Sequence, residues 1–426
     1  MRLPRTVVIV GLGLSLVLSA TAACGSTGGE AVRSDSASSL TVPPRSGSAG
    51  PSAAETNRLD EQVPVPVTMS EWTIQSNTLV GDCDNFRSDS QQQKPGVFDV
   101  AQGKFVLVKA APPVPNDEML VDFNCAVVGP STEPQIVYVV NTERSAQGLS
   151  GRKLFSRVYL FEPDSLEPVK VRDISDVTQG SVGMILATES GIVVDVEAST
   201  SGPRAVFLGV PDLATVWTDD VHAQVSSATG VLFGPNVIPD GSDVFRVRSA
   251  ATGETVLEDP DLKNGGTIST DVFPSGFLIS NPADTHEAKS SDAFFSTKDD
   301  KLAKGIPPSI WGVPQLSGTQ LLTYSDTYLS VFDVSTGRSV LFIDGQRYKD
   351  LKLANVSLFD GKLYINNGNN KFNVVSVDTE QTVSSGWSQL PIAALPGWTL
   401  FIDRENAALC TDDALNCGPM VLRPSD

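Results

Sequence analysis

The sequence predicts an all-β fold, a β-propeller of four-stranded antiparallel blades, and three observations lead to this prediction. Tight glycine turns between apolar strands recur every forty-odd residues along most of the 426-residue chain. A second element, an aromatic-rich strand followed by a polar corner and another strand, recurs between successive glycine turns. Helical periodicity is scarce, so a repeat of paired helices does not explain the pattern.

The glycine turns define the length of the repeat. Clear copies lie at 189–194, 274–278 and 359–363. The full set of turn glycines is Gly129, Gly191, Gly230, Gly276, Gly318, Gly361 and Gly397. From Gly191 onward the spacings are 39, 46, 42, 43 and 36 residues, whereas the first gap of 62 residues is interpreted as containing a polar loop at 142–154. A period of about forty residues accommodates four strands of ordinary length.

The polar corner supplies the other half of each repeat. Its clearest copy is 328–340, and a second copy at 244–253 places the corner glycines Gly253 and Gly337 two periods apart. Each repeat therefore contains four antiparallel strands. One sheet of this size cannot cover both of its faces, but radial packing of several such sheets does so. A solenoid or a tandem of immunoglobulin-like domains fits the period less well.

The number of blades has two solutions. Seven glycine turns favour seven blades. Residues 98–106, however, match 332–340 in frame, with Phe-Asp-Val followed by a glycine in both copies. The segment from about 66 to 118 therefore either forms an eighth blade or completes the last sheet by joining N-terminal to C-terminal strands. We favour seven and leave eight open.

The N-terminus has the features of an exported protein. Arg2 and Arg5 precede an uncharged apolar run at 7–20 that is too short to span a bilayer. The run ends in Thr-Ala-Ala-Cys-Gly at 21–25, which resembles the bacterial lipobox. This resemblance implies cleavage after residue 23 and acylation of Cys24, with palmitate as one expected chain. Two acyl chains would hold the protein on the extracytoplasmic face of the cell membrane. A plain secretory signal that leaves Cys24 as a free thiol is the alternative.

Composition divides the chain into three parts. Residues 1–23 are predicted to be a lipoprotein signal peptide, and 24–60 to be the lipidated cysteine with a flexible Ser/Gly/Pro linker. Such a linker contains too little apolar surface to offset the entropy of ordering it. Residues 61–426 are predicted to form the propeller domain.

The remaining four cysteines, an even number in an exported chain, predict two disulfides. They are Cys83, Cys125, Cys410 and Cys417, which allow three pairings. We favour Cys410–Cys417, which are close in sequence, together with Cys83–Cys125, which would tie the segment after the linker to the first full repeat. The chain has only two histidines and no C-x-x-C spacing, so we predict no metal site.

The sequence contains no recognisable catalytic motif. It has neither a G-x-S-x-G elbow nor a phosphate-binding P-loop, so we assign no catalytic and no cofactor-binding residue and expect no cofactor. His222 and His286 are expected in loops or at strand ends. The stretch 259–265 resembles a calcium loop only faintly and is interpreted as a turn. The five tryptophans are expected in the blade cores, with a sugar-stacking platform as the alternative; they are Trp72, Trp217, Trp311, Trp387 and Trp398.

The corner at 332–337 resembles the repeats of quinoprotein-like (PQQ-like) propellers, a family that includes lipoprotein scaffolds as well as quinone enzymes. Quinone-dependent members place a tryptophan a few residues after the corner glycine, where it docks one blade on the next. Here the comparable positions contain Val340 and Val256. The resemblance therefore implies the propeller fold and disfavours quinone chemistry.

Charge and motif content together favour a binding protein. The net charge of -19 repels phosphate backbones and anionic lipid heads, so nucleic acid is not an expected partner. We expect a monomeric, non-catalytic scaffold of the cell envelope that binds a protein or peptide and reaches the membrane only through its lipid. The alternatives are an extracellular enzyme acting on a glycan, lactone or quinone-linked substrate in the central channel, and a solute-binding or sensory lipoprotein. Polar side chains clustered on the innermost strands would indicate the enzyme.

Overall fold

The described strands form eight four-stranded antiparallel sheets, which pack in a ring as the blades of a propeller. The computed structural model describes residues 63–64, 72–75, 78–81, 83, 95–145, 151–178, 182–196, 204–233, 245–259, 269–280, 292–309, 313–351, 355–366, 371–403 and 420–425. The predicted all-β propeller is confirmed. The number of blades is eight, the alternative left open, and the favoured number of seven is wrong.

The first four blades follow the chain order, with the innermost strand first and the outermost strand last. Blade 1 contains β2 (Trp72–Gln75), β3 (Thr78–Gly81), β4 (Gly96–Asp99) and β5 (Lys104–Leu107). Blade 2 contains β6 (Met119–Val128), β7 (Gln135–Arg144), β8 (Lys153–Phe161) and β9 (Lys170–Asp173). Blade 3 contains β10 (Val182–Thr188), β11 (Gly191–Val196), β12 (Ala205–Gly209) and β13 (Ala214–Asp219). Blade 4 contains β14 (Ala223–Ser226), β15 (Gly230–Phe233), β16 (Phe245–Ser249) and β17 (Thr255–Asp259).

The last four blades repeat this arrangement. Blade 5 contains β18 (Ser269–Phe273), β19 (Gly276–Ser280), β20 (Asp292–Ser296) and β21 (Lys301–Ile306). Blade 6 contains β22 (Gln315–Ser317), β23 (Gln320–Tyr324), β24 (Tyr328–Asp333) and β25 (Arg338–Asp344). Blade 7 contains β26 (Asn355–Phe359), β27 (Lys362–Asn366), β28 (Phe372–Ser376) and β29 (Thr382–Trp387). Blade 8 contains β30 (Gln389–Leu395), β31 (Trp398–Asp403), β32 (Met420–Pro424) and, at its outer edge, β1 (Val63–Pro64).

The ring closes by pairing the two ends of the domain. Strand β1 pairs antiparallel with β32, with Val63 opposite Leu422 and Pro64 opposite Val421. Strands β2 to β5 form a separate sheet, so the segment from about 66 to 118 supplies the eighth blade, and the strand that joins the C-terminal sheet, β1, lies before that segment. Counting glycines missed blade 1 because the residues between β2 and β3 are Ser76 and Asn77.

At two of the recurring turns, glycine is required by the close approach of a neighbouring strand. A Cβ atom added at Gly191 would lie 2.0 Å from the carbonyl oxygen of Leu208 on the third strand of its blade. A Cβ atom at Gly276 would meet the carbonyl oxygen of Phe295 at the same distance. Only glycine allows these second strands to begin so close to the third strand.

Backbone hydrogen bonds join the glycine turns of successive blades. Gly129 N donates to Glu189 O at 3.1 Å, and Glu189 N donates to Ala228 O at 2.8 Å. Ala228 N in turn donates to Pro274 O at 3.3 Å. Blades 2 to 5 are therefore connected through main-chain groups that are independent of side-chain identity.

The hydrophobic core lies between the blades. Val137 and Leu160 of blade 2, for example, belong to the same buried cluster as Ile192 and Leu208 of blade 3. The outer strands are largely exposed, as in β29. Two short helices in the described part of the chain, α1 (Ser175–Thr178) and α2 (Gly345–Leu351), accompany the sheets. Within the described residues, no helix combines the length and apolar character needed to cross a bilayer.

Tryptophan docks one blade on the next at two boundaries. Trp217 of blade 3 donates its indole N–H to Ala250 O of blade 4 at 2.9 Å, and its ring covers Gly253. Trp398 donates to Val100 O of blade 1, also at 2.9 Å. Val256 and Val340 do occupy the comparable positions of the two glycine corners, and the docking ring of Trp217 instead follows a corner in which Leu213, with φ 58°, takes the place of the glycine.

Candidate functional site

The two ends of the blades differ in what they present. At one end, called the turn end, the first strand turns into the second and the third into the fourth, as at Gly129 and Gly253. At the opposite end, called the loop end, the second strand connects to the third, and the fourth to the next blade. The four buried carboxylates of the described residues, Glu118, Asp195, Asp219 and Asp292, all lie at the loop end.

Blade 2 is longer than its neighbour at the loop end. Strands β6 and β7 have ten residues each and β8 has nine, whereas β10 of blade 3 has seven. The hydrogen bond between Gly129 and Glu189 aligns the turn ends of β6 and β10. The additional residues of β6, Met119 to Val121, therefore extend beyond the start of β10 at the loop end.

Exposed apolar side chains concentrate on and beside this blade. Of the 13 large apolar side chains that are exposed in the described residues, nine lie between positions 107 and 171. Three of the nine form the extension and a fourth lies beside it, and we call these four residues the blade-2 patch: Met119, Leu120, Val121 and Leu154, which are 57%, 41%, 49% and 37% exposed. Strand register places Met119 and Leu154 on either side of Glu143 in one cross-strand row. A concentration of exposed apolar side chains marks an interaction surface.

A buried ion cluster supports the patch from within. The Glu118 side chain is fully buried and accepts hydrogen bonds from Arg157 Nη1 at 2.6 Å and from Arg144 Nη2 at 3.0 Å. The Thr142 hydroxyl donates to the same carboxylate. The hydrogen bond from Arg157 is the largest cause that lowers the pKa of Glu118 to about 2, against the effect of burial. Glu118 is therefore ionised at neutral pH and joins β6 to β7 and β8.

Cations surround one aromatic ring beside this cluster. Phe155 has Arg144 at 5.0 Å, Lys153 at 4.8 Å and Arg157 at 4.8 Å from its ring centre. Lys153 is exposed, and the Arg144 side chain is 41% exposed. The patch thus combines exposed apolar groups with adjacent arginine–carboxylate ion pairs and one exposed lysine, Lys153. Arginine and large apolar side chains are the residue types enriched at interface hot spots.

A second ionic cluster joins blades 3 and 4. Asp219 is buried and contacts Arg246 and, at 2.8 Å, Arg248 Nη2. Nearby, His222 Nδ1 lies 2.8 Å from Asp195 Oδ1. His222 lies between β13 and β14, and its side chain is 24% exposed. A triad would also need a hydroxyl nucleophile on His222, and the contacts of the described part of the chain provide none. His286 lies outside the described residues.

Polar side chains on the innermost strands are engaged in contacts between blades. Two side-chain amides accept backbone N–H groups of the next blade, and two serine hydroxyls donate to backbone carbonyls of an adjacent blade. These contacts are Gln75 with Val127 N at 2.9 Å, Gln315 with Leu358 N at 3.0 Å, Ser226 with Ala187 O at 2.7 Å and Ser357 with Pro391 O at 3.1 Å. These bonds give the inner polar groups a structural role around the axis.

The turn end contains a cavity with a volume of about 480 Å³. Turn residues of blades 2 to 5 line it, and its charged members are Glu189, Glu254 and Asp300. No Lys, Arg or His is among the residues that line it. Its chemistry would suit a small cationic solute better than an anion.

The structure contains one of the favoured disulfides. Cys83 and Cys125 are bonded, with Cα atoms 5.3 Å apart, and join blade 1 to the inner strand of blade 2. Both residues are 4% exposed. Cys24, Cys410 and Cys417 lie outside the described residues, so lipidation and the second disulfide stay predictions. Among the described residues, no group of three or more His, Cys, Asp or Glu side chains could hold a metal ion.

No protein-family model matches the chain, and no curated protein matches its sequence. Among solved structures, the chain is similar to BamB from Moraxella catarrhalis, with 11% identity over 85% of this chain and 98% of that one and a TM-score of 0.37. It is also similar to Sqt1 from Saccharomyces cerevisiae, with 9% identity over 70% of this chain and 95% of that one and a TM-score of 0.33. At these values the similarities carry no argument about function.

Proposed function

We propose that this protein is a non-catalytic, lipid-anchored scaffold of the cell envelope whose propeller binds a protein partner through blade 2. The observation that carries the proposal is the concentration of nine of the 13 exposed large apolar side chains of the described residues between positions 107 and 171. Association buries such surface with a gain of roughly 25 cal/mol per Å².

The blade-2 patch is suited to a partner that presents apolar side chains and carboxylates. Met119 and Val121 would contact the apolar part, while Arg144 and Lys153 lie where they could meet acidic groups. The buried Glu118 cluster holds the extension in one conformation, so little entropy would be lost on binding. Lys153, exposed beside the Phe155 ring, is the cation of this surface that is placed to meet an acidic side chain of a partner.

Site-specific photo-crosslinking tests the surface. A photoreactive phenylalanine analogue is placed at Met119 or Val121 in the full chain, expressed in its native host, with Val383 on blade 7 as the matched control. Met119 and Val383 are 57% and 56% exposed, so the two sites have equal access to solvent. We expect discrete adducts at positions 119 and 121 and none at 383. Equal labelling at all three positions, or none at the patch, would contradict the proposal.

The solute-binding alternative is favoured by a different observation, the acidic cavity at the turn end. Its carboxylates would bind a small cation such as a polyamine through ion pairs. Calorimetry with spermidine distinguishes the two candidates, since Glu254→Gln would weaken that binding and would leave the crosslinks at Met119 unchanged.

A further inference from the structure

Three of the four buried carboxylates have a basic partner, and the fourth has none in the described structure. Glu118 is held by arginines of its own blade, and Asp219 by Arg246 and Arg248. Asp195 is paired with His222. Asp292, only 2% exposed, has no Lys, Arg or His among the described groups that interact with it. A buried carboxylate without a counter-charge is costly, and it points to a missing ligand.

Asp292 begins β20 at the loop end of blade 5. The Ser280 side chain and the backbone N–H of Ser309 hydrogen-bond to it, but its Oδ2 atom is buried without a partner. Burial is the largest cause that raises the pKa of Asp292 to about 6, and the like charge of Asp271 adds to the rise. Asp271 on the inner strand β18 also has a pKa raised by burial.

Blade 6 presents two further buried oxygens without partners. Thr323 and Ser330 form a cross-strand pair, and neither has any exposed surface. Their hydroxyl oxygens have no hydrogen-bond partner within the described structure. The cross-strand row next to this pair contains Leu321 and Phe332, whose side chains lie on the same sheet face.

The facing sheets bring these groups together. Leu321 and Phe332 of blade 6 pack with Leu278 and Phe294 of blade 5 in one buried cluster. Asp292 lies two residues before Phe294, and successive even positions of a strand share a face. The hydroxyls of blade 6 and the carboxylate of blade 5 therefore lie in the same interface, one step further towards the loop end. The electrostatic effect of Asp292 on Tyr328 of β24 is consistent with this placement.

We propose that Asp292 and Asp271, together with the hydroxyls of Thr323 and Ser330, bind a calcium ion between blades 5 and 6. Calcium is bound by carboxylate, hydroxyl and water oxygens in flexible geometry, which suits two carboxylates and two neutral oxygens. Two negative charges match one divalent cation, which would replace the basic partner that the other buried carboxylates have. A calcium site here would contradict the sequence prediction of no metal site. That prediction used histidine and cysteine spacing, which cannot detect hydroxyl ligands.

Protons compete with the cation at this site. Asp271 on β18 is the titratable group that acts on Asp292, and Asp292 in turn adds to the rise that burial causes in the pKa of Tyr328 on β24, whose hydroxyl donates to Pro308 O. Because carboxylates bind calcium in their ionised form, the apparent affinity should fall on acidification.

Thermal unfolding with added calcium tests the site. The purified full chain, stripped with EDTA, is titrated with CaCl₂ at pH 7.5 and constant ionic strength. We expect a saturable increase in Tm of about 4 °C at high occupancy. Asp292→Asn should abolish the increase, Thr323→Val should raise the half-saturating calcium concentration about tenfold, and the exposed control Asp378→Asn should respond like the wild type.

If Asp292→Asn does not fold, Thr323→Val and Ser330→Ala provide the same comparison. No saturable increase in the wild type, or an equal increase in NaCl at matched ionic strength, would overturn the calcium site. So would an increase that persists in Asp292→Asn. The crosslinking result at Met119 is independent of all these outcomes.

Discussion

At the scale of single residues, buried carboxylates have opposite effects on the fold. Arg157 and its neighbours lower the pKa of Glu118, so the folded state prefers the ionised form. Burial raises the pKa of Asp292, so without a cation the folded state prefers the protonated form. Glu118 therefore stabilises the fold above pH 4.5 and loses this contribution as the pH falls towards 2. Without a cation, the buried Asp292 makes the fold less stable as the pH rises from about 4 to about 6.

Glu118→Gln should reduce the free energy of unfolding by about 3 kcal/mol at pH 7, since the shift of the Glu118 pKa corresponds to about that value. The difference between variant and wild type should become much smaller at pH 3, where part of the ion-pair stabilisation is already lost. Urea unfolding at both pH values measures it. Glu167→Gln, an exposed change on the same blade, should have little effect at either pH. Equal destabilisation by Glu118→Gln at pH 3 and pH 7 would contradict this account.

At the scale of elements, two corner glycines allow the cost of backbone strain to be distinguished from the cost of disturbing blade docking. Gly253 and Gly337 have similar left-handed conformations, with φ values of 74° and 69°. A Cβ atom at Gly253 would lie 2.6 Å from the Trp217 ring, whereas one at Gly337 would have nothing within 4 Å. Both positions therefore have the same left-handed backbone restriction, and only Gly253 also has an aromatic ring beside it.

Gly337→Ala should cost about 1 kcal/mol, the usual penalty for an alanine in this conformation. Gly253→Ala should cost roughly 2 kcal/mol more, because the methyl group would displace Trp217 from blade 4. Denaturant unfolding of the two variants gives the comparison directly. If both substitutions cost the same, Trp217 does not contribute to docking in the way proposed here.

The elements also show where sequence patterns succeed and fail. Glycine spacing predicted the blades because Gly191 and Gly276 are required where strands approach closely. The pattern failed at blade 1, where the first turn has no glycine. In the gap of 62 residues after Gly129, the loop predicted at 142–154 overlaps strands at both of its ends, since residues 135–144 and 153–161 are strands. That long gap was the one sign in the sequence that blade 2 has long strands. The blade-2 patch could not be predicted, because glycine spacing does not tell which side chains are exposed.

At the scale of the whole molecule, the fold class followed from the sequence, but the candidate sites did not. The cluster around Glu118 and the interface around Asp292 assemble residues from several strands. Glu118 lies 39 positions from Arg157, and the Asp292 interface joins residues of two different blades. No local motif records such contacts. The Trp217 docking contact likewise spans 33 residues and two blades.

The proposed lipid anchor is a property of the full chain, and it rests on the sequence at 21–25. Cys24→Ser should move the protein from the membrane fraction to the soluble fraction and abolish labelling with an alkyne analogue of palmitate. Two acyl chains bind a bilayer far more strongly than a polypeptide of net charge -19 would by itself. Ser26→Ala should behave like the wild type. Palmitate labelling that persists in Cys24→Ser would place the lipid elsewhere or exclude it.

The closure of the ring determines where a mechanical force would enter the domain. Strand β1 consists of Val63 and Pro64, and it pairs only with β32 at the outer edge of blade 8. If Cys24 is held in a membrane, tension on the tether reaches the domain at this two-residue strand before any other. Opening that seam would detach β1 from blade 8 while the three strands β30, β31 and β32 remain paired with one another, so the tether could be pulled away from the edge of the blade without unfolding the rest of its sheet.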